Sequence, residues 1–162
     1  MSHKPSILFV CLGNICRSPT AHGVFEHLLE QQGESASYQV DSAGTAAYHI
    51  GKAPDPRSRA AARRRGYDLE DLRARAVEPE DFERFDYILA MDEANLRDLR
   101  SLCPRGYRGH LGLFLAFAEG IRVREVPDPY YTSGEQGFEE VLDLVESASK
   151  GLLRHLQQAT DA

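Results

Sequence analysis

Cys11 and Arg17 stand six positions apart, with Gly13 and Asn14 between them and Ser18-Pro19 directly after. A cysteine thiolate is a nucleophile toward phosphorus or carbon. An arginine guanidinium offers a planar fork of N–H donors that matches two oxygens of a phosphate. If segment 11–18 curls, its two ends face one anion and its backbone N–H groups cradle it. Gly13 and Asn14 are residue types that accept the left-handed backbone angles of a tight cradle. The donors that hold a phosphate oxygen also stabilise a thiolate. The Ser18 hydroxyl can donate to the sulfur and ease its departure from a phosphorylated intermediate. Cys11 also has a plainer reading, as a small apolar side chain closing a strand. The joint placement of Gly13, Asn14, Arg17, Ser18 and Pro19 favours the cradle.

Cleaving a phosphate ester also needs a proton for the departing oxygen. The chain has 25 acidic residues, so composition alone selects none of them. Pro127-Asp128-Pro129 holds a carboxylate in a stiffened loop, and Tyr130 and Tyr131 follow as possible walls for an aromatic substrate. Pro-Asp-Pro is equally ordinary turn chemistry, and spacing leaves both readings open.

The elements that must position these residues alternate in type. Residues 6–10, Ser-Ile-Leu-Phe-Val, read as a strand buried on both faces. Ala21, Val24, Phe25, Leu28 and Leu29 then follow a helical spacing, with Gly33 as its stop. A second strand is expected over 38–42, ending at Ala43-Gly44. Asp55-Pro56 starts a second helix that ends near Gly66. A third strand is expected over 86–91, a helix over 92–99 and a weaker fourth strand within 111–117. A long helix over 134–158 carries Phe138, Val141, Leu142, Val145, Ala148, Leu152 and Leu156 on one stripe. The alternation predicts an α/β fold: a parallel sheet with helices on both faces, in one domain over residues 1–162. Ligands of such sheets bind beyond the carboxyl ends of the strands, where the loop after residue 10 lies.

Composition narrows the classes. A net charge of −6 gives no general attraction to nucleic acid or to an anionic membrane. No apolar run is long enough to span a bilayer, and the N-terminus has no signal-peptide core, so a cytoplasmic protein is expected. Three cysteines do not suggest a disulfide framework. No Cys/His spacing suits zinc, and the six scattered histidines read as surface or packing residues. There is neither a Gly-x-Gly-x-x-Gly nor a Gly-Lys-Ser/Thr motif, which argues against dinucleotides and nucleoside triphosphates. Arg57, Arg59, Arg63, Arg64 and Arg65 read as a solvated helix face balanced by Glu70, Asp71 and their neighbours, rather than as a docking patch.

Residues 10–19, Val-Cys-Leu-Gly-Asn-Ile-Cys-Arg-Ser-Pro, resemble the phosphate loop of the low-molecular-weight protein tyrosine phosphatases. Asp41-Ser42-Ala43-Gly44-Thr45, Met91-Asp92 with Asn95, and Asp128-Pro129-Tyr130 match further markers of that family in the same order, over essentially the whole chain. The resemblance implies a four-stranded, flavodoxin-like, doubly wound sheet. It implies hydrolysis of phosphotyrosine through a cysteinyl phosphate. Cys11 would be the nucleophile, Arg17 the phosphate clamp, and Asp128 the general acid and then the base that activates water. Leu12, Gly13, Asn14, Ile15 and Cys16 would complete the loop, with Ser18 assisting the thiolate and Ser42 supporting Asn14. Leu12, Tyr48, Tyr130 and Tyr131 would wall the substrate slot. Cys16 resembles the second loop cysteine that can form a reversible disulfide with Cys11. No metal or cofactor is implied. The implied partner is a phosphotyrosine protein, met by a monomer or weak dimer. Tyr48 stands where many members have Trp. Ile15 stands where related arginine phosphatases have Thr, which favours the tyrosine phosphatase reading.

Two other functions compete. Arsenate reduction would need a cysteine cascade, for which Cys103 is the available third member, but it has no use for Asp128-Pro129-Tyr130. A silent phosphate-binding module would not need nucleophile, clamp and acid together.

Overall fold

The structure is a computed structural model, and it describes residues 4–131 and 135–161. Four parallel strands form one sheet in the order β2-β1-β3-β4: β1 Ser6–Cys11, β2 Gln39–Gly44, β3 Tyr87–Ala90 and β4 His110–Leu113. Among the described residues, five α-helices accompany them: α1 Arg17–Gln31, α2 Pro56–Arg64, α3 Asp81–Arg84, α4 Glu93–Leu102 and α5 Gln136–Asp161. The chain leaves β1 for one neighbour, β2, and returns to the other, β3. The crevice beyond the end of β1 is therefore the topological switch point, where such sheets bind ligands.

Side-chain alternation along β1 divides the core. Ile7, Phe9 and Cys11 join the cluster covered by α1 and α5, while Leu8 and Val10 join the one covered by α3 and α4. Phe9 meets Phe25 of α1 and Phe114 edge-on, with ring centroids 5.8 and 4.9 Å apart. Burial on both faces explains why β1 is apolar at successive positions rather than at every second one.

Local chemistry sets most boundaries. Asp55 caps α2 by accepting the Arg57 N–H at 2.8 Å, with Pro56 in the first turn. Asp92 and Asn95 form a reciprocal capping box on α4. Gly33 and Gly66 follow α1 and α2 at φ of +69° and +89°.

The fourth strand is shorter than the expected 111–117. Pairing with β3 stops at Ala90–Leu113, and the next β3-side group, Met91 O, accepts the Val126 N–H at 2.8 Å. With no ladder partner left, Phe114–Phe117 coils into a 3-10 turn. The short helix α3 has no sequence expectation behind it. The expected last helix opens at Gly134, which lies outside the described residues; α5 is described from Gln136.

The arginines of α2 and its end are tied within the chain. Arg59 and Arg63 pair with Glu70, and Arg57 with Asp55. Arg64 and Arg65 pair with Glu139 on α5, and Arg65 also reaches Asp143 and Glu146. The balancing carboxylates are thus Glu70 and the face of α5. Among the described residues, no helix is long and apolar enough to cross a membrane.

Gly151 marks a close approach. A Cβ there would fall 1.7 Å from the Phe117 carbonyl oxygen. Helix propensity favours alanine by about 1 kcal/mol, but the clash forces α5 away from the 3-10 turn. Gly151→Ala is expected to destabilise the fold by about 3 kcal/mol in denaturant unfolding; a more stable variant would refute this close packing.

Candidate active site

The loop between β1 and α1 is held open from outside. The carbonyls of Cys11, Leu12 and Ile15 accept the N–H groups of Thr45, Ala46 and Asp55 at 2.9, 2.9 and 2.8 Å. In a trans peptide the N–H points opposite its carbonyl, so the donors of the following residues turn to the inner side. The N-cap Cys16 makes no side-chain cap bond, Pro19 has no N–H and the Thr20 N–H takes Cys16 O, so the Arg17 and Ser18 N–H groups are the first-turn donors left, the latter beside Cys11 Sγ. Gly44 allows β2 to approach: a Cβ there would sit 2.7 Å from Leu12 O.

Asn14 adopts φ +57°, the only non-glycine positive φ among the described residues. Its side chain holds that conformation at every polar atom. Nδ2 donates to Ser18 Oγ at 2.8 Å and to Ser42 Oγ at 3.1 Å, while Oδ1 accepts the Arg75 N–H at 3.0 Å. Cys11 is 3% exposed; its Sγ lies 3.0 Å from Ser18 Oγ and 3.5 Å from the Ser18 N–H.

Arg17, 2% exposed, points back over the loop. Its Nη1 donates to Asp92 Oδ2 at 2.7 Å and to Val126 O at 2.9 Å, and its Nη2 lies 3.6 Å from Asp128 Oδ2. Burial alone would make this guanidinium easier to deprotonate. The Cys11 sulfur, the Asp92 hydrogen bond and Asp128 outweigh it and hold Arg17 above its ordinary range. One face of the fork is therefore fixed to protein, and the other is turned toward the space between Cys11 and Asp128. Asp92 manages this by dividing its carboxylate: Oδ1 accepts the Asn95 N–H at 2.7 Å and Oδ2 takes Arg17.

Asp128 accepts the Tyr130 N–H at 3.0 Å through Oδ1. It caps the 3-10 turn Pro129–Tyr131, so the turn chemistry that the sequence left open is present at this loop. Burial pushes the Cys16 thiol up to about 12. Cys11 and Cys16 are both free thiols.

Cys11, Leu12, Gly13, Ile15, Cys16 and Arg17 line one open pocket with Tyr48, Asp128 and Tyr130. Asn14, Ser18 and Ser42 stand behind it. Tyr48 is 76% exposed and stands at the mouth rather than as a deep wall. The Tyr131 side chain lies outside the described residues. His49, read from sequence as a surface or packing residue, lines the pocket with its ring 6.1 Å from Tyr130 and 6.4 Å from Tyr48. Asp92 and Arg75 were legible only as family markers or not at all, because their partners Arg17 and Asn14 lie 75 and 61 residues away. Cys103 follows the last residue of α4, about 15 Å of helix from the Asp92 end. It packs beside the second core cluster, away from a cascade with Cys11. Among the described residues, no three His, Cys, Asp or Glu side chains are grouped to hold a metal ion.

Residues 6–162 match the family described as low molecular weight phosphotyrosine protein phosphatase. The human protein of that name is 53% identical over 138 residues, covering 84% of this chain and 85% of its own. The Bacillus subtilis low molecular weight protein-tyrosine-phosphatase YfkJ is 40% identical over 153 residues, covering 94% of this chain and 96% of its own. The crystal structure of a protein tyrosine phosphatase from Entamoeba histolytica superposes with a TM-score of 0.92 at 41% identity, covering 96% of this chain and 99% of that one. With a buried cysteine and arginine at the two ends of one phosphate-type loop, and a match that runs from β1 to the end of the chain, this protein belongs to the low-molecular-weight protein tyrosine phosphatase family.

Proposed function

We propose that the chain acts as one phosphatase domain on phosphotyrosine side chains of proteins, with Cys11, Arg17 and Asp128 as its reacting and clamping groups. The observation that carries this reading is the convergence around one space of Cys11 Sγ, the Ser18 hydroxyl at 3.0 Å from it, and Arg17 Nη2 at 3.6 Å from Asp128. The loop N–H groups and the Nη2 edge of Arg17 bind the three non-bridging phosphoryl oxygens. The Cys11 thiolate attacks phosphorus. The P–O(aryl) bond breaks, its electron pair goes to the tyrosine oxygen, and Asp128 supplies the proton. Water then attacks the cysteinyl phosphate from the vacated side and gives its proton to Asp128. The S–P bond breaks, and the Ser18 hydroxyl donates to the returning thiolate. Leu12, Tyr48 and Tyr130 flank the aryl ring.

Three unpaired cysteines fit the reducing conditions of the cytoplasm, and the protein works there as a monomer or weak dimer. The test is steady-state hydrolysis of a phosphotyrosine peptide beside phosphoserine and phosphoarginine substrates, without added metal. Preferential turnover of phosphotyrosine is expected. Preference for phosphoarginine would overturn the role given to Ile15, and absence of turnover would overturn the mechanism.

A further inference from the structure

The hydrogen bonding behind the loop continues past Ser42. Ser42 Oγ lies 3.2 Å from His22 Nδ1, and His22 Nε2 lies 2.9 Å from Glu26 Oε1, one turn further along α1. His22 is 7% exposed, whereas the Glu26 side chain is 54% exposed. An unbroken path therefore runs from Cys11 Sγ through Ser18, Asn14, Ser42 and His22 to a carboxylate at the surface.

The partners assign the protons along this path. Asn14 Oδ1 already accepts the Arg75 N–H, so Nδ2 is the atom that faces both hydroxyls, and an amide nitrogen only donates. Ser18 Oγ and Ser42 Oγ are then acceptors, each with one proton left to give. The proton of Ser18 has Cys11 Sγ at 3.0 Å, closer than Ala43 O at 3.4 Å. The proton of Ser42 has His22 Nδ1. That bond requires the Nε2–H tautomer of His22, and the Nε2–H is the atom that faces Glu26. Every donor in the path then has an acceptor.

We infer that His22 is a positioning residue for the phosphatase reaction. Held in one tautomer by Glu26, it takes the Ser42 proton and keeps Ser42 as an acceptor for Asn14, and through Asn14 it aims the Ser18 hydroxyl at Cys11. The inference rests on the reading of Cys11 and Ser18 given under Proposed function. An apolar side chain at position 22 would fill the same buried site between α1 and β2. It would leave the Ser42 proton without its acceptor and free Ser42 to turn away from Asn14. The helix would remain, but the aim of the nucleophile's partner would be lost.

The experiment uses the full chain and p-nitrophenyl phosphate, with active sites counted by the burst of nitrophenol. His22→Leu is expected to lower kcat per active site by roughly 10- to 100-fold with KM within about twofold, the signature of a loss confined to the reacting step. His22→Gln, whose amide can accept from Ser42 and donate to Glu26, is expected to recover most of that rate. Glu26→Ala, at an exposed position that leaves folding intact, is expected to lower kcat about threefold or more. A purely structural histidine would lower the melting temperature in His22→Leu without changing kcat per active site. That result, or a His22→Gln as slow as His22→Leu, would overturn the inference; if His22→Leu does not fold, an unchanged kcat in Glu26→Ala would overturn it. Loss of wild-type turnover, or turnover surviving Cys11→Ser, would overturn the proposed function first and is recognised separately.

Discussion

Cys11→Ser is expected to lower phosphotyrosine turnover by roughly 10⁵-fold or more, the scale seen when a covalent nucleophile is removed, while inorganic phosphate still binds. A serine hydroxyl at position 11 would be a far weaker nucleophile at neutral pH than a thiolate, because it gives up its proton much less readily. The binding apparatus is untouched. The loop carbonyls stay tied to Thr45, Ala46 and Asp55, and Arg17 stays tied to Asp92 and Val126 O. Turnover and anion binding are therefore expected to separate in one variant. Steady-state assay beside calorimetric titration with phosphate checks both. Turnover above about 1% of wild type would remove Cys11 from the role of nucleophile.

The second large effect is expected at Asp128, and the informative change is Asp128→Asn. Asparagine keeps an oxygen that can accept the Tyr130 N–H, so the cap on the Pro129–Tyr131 turn survives while the transferable proton is lost. Phosphotyrosine hydrolysis is expected to slow by roughly 10²- to 10⁴-fold. The deficit should shrink with p-nitrophenyl phosphate, whose leaving oxygen is stabilised without protonation. A leaving-group series measured on both proteins would show the variant falling behind more steeply as the leaving phenol becomes more basic. Equal slopes would move the acid to another residue.

The parts of this molecule legible in the sequence are those whose causes are local. The apolar run of β1 and the Gly-Asn pair after it are written in consecutive residues, and so are the Asp55-Pro56 start of α2 and the glycine stops at Gly33 and Gly66. The parts that escaped depend on contacts between distant segments. The end of β4 is set by Val126 taking the place that a longer strand would have filled beside Met91. Asp92 is visible in the sequence only as a family marker at the start of a helix; that one carboxylate oxygen caps α4 and the other meets Arg17 emerges only once the sheet has formed. His22 reads from sequence as a surface or packing residue because one histidine on a helix carries no spacing signal. Its meaning comes from Ser42 on the neighbouring strand.

The clamp on Arg17 has a consequence for how this protein could change. A free arginine side chain carries about 2 kcal/mol of rotamer entropy, and at an exposed site that disorder is removed only when the anion arrives. Here Asp92 and Val126 O immobilise the side chain within the folded chain, so its ordering belongs to folding and is shared by every phosphoester that enters. In the proposed reading, preference among phosphoesters would reside elsewhere, in the side chains of Tyr48 and Tyr130 at the exposed rim. The rim can drift in sequence and shift substrate choice while the affinity for the phosphoryl group itself stays fixed.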